Sequence, residues 1–454
     1  MKRSDFAALR LCAVLMVPGV LATPASQAAD LVQVYRLALA NDASFASARA
    51  ALEAGREKSV QGRSGLLPLV QVNGQNTRNT GWQSSSFNAS LGLPSGGPDD
   101  FLLRSDNQYH VNTYTVSLSQ PLYNWGAWQT YQQSKLQQAS SEALFAQAEE
   151  DLMTRVAQAY FDVLAAQDSL STTQAQKVAT TELLASAKRN YEVGTQTITD
   201  ANEAQAAYDL VLAQEYSAIN DLEGRRAALQ EIIGDTPLTP APLRTGVSFT
   251  PPDAGLEAWV ASARRQNYTV LSAQLGEQIA RRQIEADRAG HQPTASLIAS
   301  RTHSYQTPAS ENRNNVVGVA WNMPLFSGYG ISSRVREAIA LESQASSDLE
   351  AARRHAATIA RQSYFGMQSG MALVRALQAA EKSSELALRS NKLGYQIGVR
   401  VNIDVLNAQK LLYATQKDLS RARYDTIMNS LFLKSAAGTL KEADLDAINQ
   451  LLVH

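Results

Sequence analysis

Two aspartates, Asp200 and Asp404, lie about 204 residues apart, and each follows a glycine, Gly194 or Gly398, by the same short interval. A carboxylate at the start of a helical run accepts hydrogen bonds from the free amides there. Asp200 and Glu203 also have the spacing of a capping box. The chemistry open to such residues is non-covalent: capping, ion pairing and charge repulsion. The five histidines show no zinc-ligand spacing. Ser95-Gly96-Gly97-Pro98 lacks the lysine and the strand–helix setting of a phosphate loop. No carboxylate pairs recognisably with a nucleophile. An enzyme is not expected, nor is a cofactor or a bound metal.

The single cysteine, Cys12, lies in an N-terminal segment with the marks of a secretory signal peptide. Lys2, Arg3 and Arg10 flank an apolar run over 11–21, and Ser26-Gln27-Ala28 fits a cleavage site. Cleavage near residue 28 leaves a mature chain with no thiol, and Cys12 lacks the small neighbours of a lipoprotein signal. Losing the signal takes the formal charge from −1 to about −3, which gives no reason to expect nucleic acid as a partner. No later segment has the roughly 20 continuous apolar residues of a membrane helix. Alternating β-strands hide from such averages.

The elements that must hold the aspartates come in two similar sets. Tyr160-Phe161 recurs as Tyr364-Phe365, Asn190-Tyr191-Glu192-Val193-Gly194 as Leu393-Gly394-Tyr395-Gln396-Ile397-Gly398, and Gly234 as Gly438. Similarity at a long, nearly fixed spacing marks a duplicated unit. A run without proline from about 126 to 192 would make a helix of about 100 Å, and 331–393 would match it. Each run ends at a glycine suited to a left-handed C-cap, and a second helix leads to Gly234 or Gly438. Each half is therefore expected to hold an antiparallel helical hairpin with its tip at Gly194 or Gly398.

Before each hairpin the period changes to two. Strands are expected over 69–77 and 110–120, and over 294–302 and 315–323. Tyr114, Val116 and Leu118 share one face of the second, and Val317, Val319 and Trp321 one face of the fourth. Polar loops are expected over 80–107 and 304–314. Strands of about ten residues have transmembrane length, but four cannot close a barrel. Open edges in lipid leave unpaired amides and carbonyls, so other copies must supply strands. Two copies give eight strands and three give twelve; periodicity does not choose.

The order of strands, helices and tips resembles the TolC family of outer-membrane channel proteins. The resemblance rests on Asn190-Tyr-Glu-Val-Gly-Thr-Gln-Thr-Ile-Thr-Asp200, on Ala207-Tyr-Asp-Leu-Val-Leu-Ala-Gln-Glu215 and on Gly394-Tyr-Gln-Ile-Gly-Val-Arg-Val-Asn-Ile-Asp-Val-Leu406. Ala422-Arg-Tyr-Asp425 and Lys434-Ser-Ala-Ala-Gly-Thr-Leu440 extend it over the mature chain. It implies an α+β membrane protein of a Gram-negative outer membrane: a homotrimer whose protomers give four strands each to one 12-stranded β-barrel, continued by a long periplasmic α-helical barrel. The chain would then divide into a signal at 1–28, a first repeat at 29–234, an equatorial linker at 235–256, a second repeat at 257–438 and a C-terminal equatorial segment at 439–454. Implied partners are a periplasmic adaptor (membrane fusion) protein, an inner-membrane ABC or proton-driven transporter, and outer-membrane lipid. The implied function is the exit duct of a tripartite efflux pump or a type I protein secretion system. Its cargo is not legible.

The resemblance also implies residue roles. Asp200 and Tyr395 match a hydrogen-bonded pair that holds the periplasmic end shut, with Thr199 and Arg400 at further constraining positions. A phenol donating to a carboxylate, or an arginine bridging carboxylates, makes a charge-assisted bond. Asp404 matches a ring of carboxylates in the closed tip, where three like charges about 6 Å apart repel by roughly 1–3 kcal/mol per pair. Asn407 stands where a second aspartate ring would sit, so weaker cation selectivity is expected. Val193-Gly194-Thr195 and Ile397-Gly398-Val399 match the tips on which adaptor hairpins dock. The first copy has Tyr191, Gln196 and Asp200 where the second has Tyr395, Arg400 and Asp404. The gate is therefore expected at this asymmetry, where one hairpin moves and the other serves mainly as frame. The rival reading, a periplasmic adaptor or scaffold of an export complex, calls for one hairpin flanked by compact β domains. A trimeric surface adhesin would carry its membrane strands at one terminus.

Overall fold

Alanine- and glutamine-rich stretches without proline fold into very long helices. In the computed structural model, which describes residues 29–453 except 89–92, 95–99, 237, 245, 248, 252–253 and 308–309, α3 runs from Trp125 to Glu192 and α7 from Gly330 to Gln396. Each spans about 100 Å at 1.5 Å per residue. Shorter helices return beside them, α4 over Ile198–Ile233 and α8 over Asn402–Ala436. No described helix is long and apolar enough to cross a membrane. The expected signal at 1–28 and the whole Gly96–Asp99 stretch lie outside the described residues.

Two helix pairs that the periodicity did not reveal precede the strands: α1 (Leu31–Asn41) with α2 (Ala43–Ser64), and α5 (Leu256–Gln266) with α6 (Tyr268–Arg288). Three of the four begin with a capping side chain from Asp30, Asp42 or Asn267, each accepting a backbone amide. α2 lies along α3, and α6 lies between α3 and α7. α2 approaches α3 closely because a Cβ on Gly55 or Gly62 would strike Ser141 or Ser134.

The strands form one antiparallel sheet in the order β2-β1-β3-β4-β5. β1 covers Leu69–Asn88, β2 Leu93–Pro94, β3 Asp100–Tyr123, β4 Thr294–Thr307 and β5 Ser310–Asn322. The expected loops at 80–107 and 304–314 are corrected: most of each is strand, paired as Thr80↔Gln108 and Ser304↔Asn312. Apolar alternation marks a strand only where one face leaves water. Beyond that zone no continuous apolar stripe of period two runs along the strands, and backbone pairing, joined by side-chain contacts such as His303 with Glu311, extends the hairpins. Residues opposite one another in the ladder share a face. One face is polar, with Thr113, Thr115, Ser117, Ser300, Thr302 and Ser304, and Leu69, Ile298, Val316 and Ala320 interrupt its lower part. The other carries Val70, Val72, Val116, Leu118, Leu297, Val317, Val319 and Trp321. Val72, Val317 and Trp321 are each about three-quarters exposed in the single chain.

The main core lies midway along the hairpins, where α1, α3, α4, α8 and the short α9 (Glu442–Asn449) meet. Tyr160 and Phe161 fill it, and the Tyr160 hydroxyl lies 3.1 Å from the Ala29 carbonyl and 3.0 Å from that of Ala241. Ala29 bridges Pro240, and Leu243 bridges Leu452, so the segment after α4 and the C-terminus cover this core together. The matching Tyr364-Phe365 on α7 has no such cover. Tyr364 is half-buried and Phe365 exposed.

Candidate functional site

The two hairpin tips lie at one end of the molecule, and glycine makes both turns. Gly194 has φ of 79° and Gly398 of 77°, a left-handed conformation that costs a residue with a Cβ about 1 kcal/mol. The amide of Thr195 donates to the Asn190 carbonyl at 2.9 Å, and that of Val399 to Gly394 at 2.8 Å, closing each helix end. Around the turns, Val193, Ile397, Val399 and Val401 are exposed apolar residues.

The restarts differ. Thr197 caps α4, accepting the Asp200 amide at 3.3 Å, while the Asp200 carboxylate accepts the Thr197 amide at 3.2 Å and hydroxyl at 2.8 Å. The capping box expected between Asp200 and Glu203 is therefore corrected to Thr197 and Asp200. The helix begins earlier than expected, and Asp200 reaches back instead of forward. α8 starts behind Val401 with no side-chain cap. Asp404 sits in its first turn, where the helix dipole favours a carboxylate. Arg400 approaches Asp404 at 3.6 Å, an exposed pair of small energetic weight.

Two hydrogen bonds tie the tips together. The Tyr395 hydroxyl donates to Gln196 Oε1 at 2.9 Å, and Asn402 Nδ2 donates to the Asp200 backbone carbonyl at 3.0 Å. Tyr395 and Asp200 thus meet the other hairpin through partners not expected from sequence: the phenol takes an amide, and Asp200 contributes its backbone while its carboxylate stays on Thr197. Thr199 is exposed. Asn402 is fully buried and its Oδ1 has no partner, so it holds the two hairpins through a single arm. Aligning the halves offers the missing signal, since Asn402 falls opposite Ile198 and Arg400 opposite Gln196.

Asn407 lines a groove of about 450 Å³ between α4 and α8, just above the tip. Gln409 faces the same groove, is almost wholly buried and has an unpartnered Oε1. Lys417, further along it, is held below the usual ammonium range by desolvation. These groups lie in the joint where the two hairpins pack against each other. Losing either side of the Tyr395–Gln196 bond should loosen the joint by about 1 kcal/mol. In thermal denaturation, Tyr395→Phe combined with Gln196→Ala should cost no more stability than either change alone. Additive costs would show that the two residues act separately.

Comparison with known proteins follows this geometry. A family model described as "Outer membrane efflux protein" matches residues 34–235 and 259–439. The outer membrane protein TolC of Vibrio cholerae is 31% identical over 449 residues, 96% of this chain and 97% of that protein. The alkaline protease secretion protein AprF of Pseudomonas aeruginosa is 31% identical over 429 residues, 93% of this chain and 87% of that protein. The Campylobacter jejuni CmeC outer membrane channel shares the fold, with a TM-score of 0.76 at 15% identity, covering 98% of both chains. The family match takes in both hairpins, both tips and the whole sheet, and the chain belongs to the outer membrane efflux proteins, the TolC family.

Proposed function

We propose that three copies of this chain join their sheets into one 12-stranded barrel in the outer membrane, with the hairpins forming a helical tunnel below it. The assembly serves as the exit duct of a tripartite efflux pump or a type I secretion system. An inner-membrane ABC or proton-driven transporter supplies the work, and a periplasmic adaptor meets the tips. The observation that carries this reading is the sheet. Its β1 and β5 edges are open over nearly their whole length, and one face is apolar and exposed. In lipid each unpaired edge group costs several kcal/mol, so the edges must pair with neighbouring copies. The two similar halves then approximate sixfold symmetry in the trimer. Exposed Phe365 on α7 fits a face awaiting the next protomer, whereas buried Phe161 does not.

Membrane fractionation tests the assembly. A heat-resistant trimer in the outer membrane is expected, and a soluble monomer in the periplasm would return the chain to the adaptor reading. The gate involves Thr199, Asp200, Tyr395 and Arg400, with Gln196 and Asn402 added. Asp404 forms the inner carboxylate ring, and Asn407 leaves the next ring uncharged. Adding that ring with Asn407→Asp should deepen the block of single-channel current by a trivalent cation several-fold, because like charges in a narrow tip focus the field. Equal block in both proteins would remove Asp404 and Asn407 from the conduction path. Which cargo passes is tested by deleting the gene and comparing secreted protein with drug susceptibility.

A further inference from the structure

The outward face of the sheet changes character along its height. Nearest the helices it is apolar, with Trp321, Val319 and Val317 on β5 beside Leu297 on β4 and Leu118 on β3. Further from the helices the ladder places Arg301 beside Val116, then His303 and Arg313 beside Tyr114, then Tyr305 and Glu311 beside Asn112, and finally Arg78 beside His110. Among the described residues this belt holds three arginines and two histidines against one carboxylate. That carboxylate is already engaged, with His303 Nε2 at 2.7 Å and Arg313 Nη2 at 2.6 Å from Glu311 Oε1. Arg78, Arg301 and Arg313 are all exposed. The distance from Trp321 to Arg313 is about 27 Å along the strand. At the usual tilt of barrel strands this is about 20 Å of membrane height, close to the apolar band of an outer-membrane barrel. The belt therefore lies at the outer edge of the apolar zone, on the side away from the periplasmic helices.

We propose that this belt binds the phosphates of a phosphorylated glycolipid of the outer leaflet, with Arg301, Arg313 and Arg78 as the anchoring residues. The assignment rests on the barrel reading above, which makes this face lipid-facing. The charge is complementary, guanidinium forks match phosphate oxygens in pairs, and Val116, Val317 and Trp321 continue the site downward as a surface for acyl chains. Three copies would place three belts around one barrel, giving the channel an annulus of held lipid at its outer rim.

Native mass spectrometry of the trimer in phosphatidylcholine nanodiscs, with added bisphosphorylated lipid A or the same lipid without its phosphates, tests this. Wild type should retain the bisphosphorylated form about tenfold better than an Arg78→Gln/Arg301→Gln/Arg313→Gln variant, and the difference should vanish without the phosphates. Arg301→Gln alone, a milder change if the triple variant assembles poorly, should lose about threefold. Equal retention by wild type and variants would overturn the proposal, as would equal retention of phosphatidylglycerol by wild type. Conductance of the same wild-type preparation separates the two readings. A conducting trimer without lipid preference overturns the belt alone, whereas a chain that neither trimerises nor conducts overturns the barrel with it.

Discussion

Replacing Gly194 and Gly398 together with tryptophan is expected to abolish export while the proposed trimer still assembles. A Cβ built on either glycine meets no atom within 4 Å, so within the chain there is room for a large side chain. The remaining obstacle is backbone conformation, at φ of 79° and 77°. The strain is about 1 kcal/mol per site, small beside the burial that holds two long hairpins together. On the docking proposal, what bulk would obstruct lies outside the chain: the proposed adaptor, seated on Val193, Ile397 and Val399, which are 72%, 68% and 75% exposed. Asparagine tolerates the left-handed region, so Gly194→Asn/Gly398→Asn keeps the turn while adding little bulk. Tryptophan should therefore lose export, and asparagine should keep most of it, with the heat-resistant trimer recovered from both. If the tryptophan variant exports normally, the glycines are only C-caps and the docking assignment falls. If both variants fail alike, turn strain and not a partner explains the loss.

The long helices were legible because their cause is local. Absence of proline over 126–192 and glycine at 194 sufficed to foresee α3, which ends at Glu192 as expected. The apolar faces of β3 and β5 were legible for a similar reason, since Tyr114-Val116-Leu118 and Val317-Val319-Trp321 alternate within their own strands. α2 was not legible. Its sequence is rich in alanine and charge, and it is held by close approach to α3 at Gly55 and Gly62, a fact of packing. The outer halves of the hairpins were read as loops because no apolar stripe of period two runs through them. At the tips, the residue types were identified but their bonding was not. Whether Tyr395 reaches Gln196 or Asp200 depends on the rotation of one helix against another. Asp200 was committed to Thr197 once α4 began earlier. Asn402 gave no sign from its own neighbours, because its role comes from being fully buried against the other hairpin.

Glu150→Gln is expected to stabilise the folded protein by about 1–2 kcal/mol at pH 8 and to change little at pH 4. Glu150 lies on α3 and is only 5% exposed. It faces a pocket of about 430 Å³ bounded by α3, the start of α6, α7 and α8, with Asp151, Tyr268 and His355 in its wall. Its Oε2 accepts the Ser435 hydroxyl at a long 3.4 Å, and its Oε1 has no partner. Burial outweighs the weak hydrogen bonds and lifts the carboxyl from 4.5 to about 7. The folded value is raised, so between these two values the folded chain holds a proton that the unfolded chain has released. Stability from this group is then complete below about pH 4.5, falls as pH rises through the window and stays low above about 7. A shift of that size corresponds to about 3 kcal/mol at most, and water in the pocket screens part of it. Glutamine keeps the shape and never ionises, so it removes the loss at high pH. The pocket lies where the second hairpin packs on the first, so charging it should loosen that packing. Thermal denaturation of detergent-solubilised wild type and Glu150→Gln at pH 5 and pH 8 supplies the check. The variant should melt about 1–2 °C above wild type at pH 8 and nearly with it at pH 5. Equal melting temperatures at pH 8 would mean that water or a neighbouring protomer already satisfies the buried carboxylate.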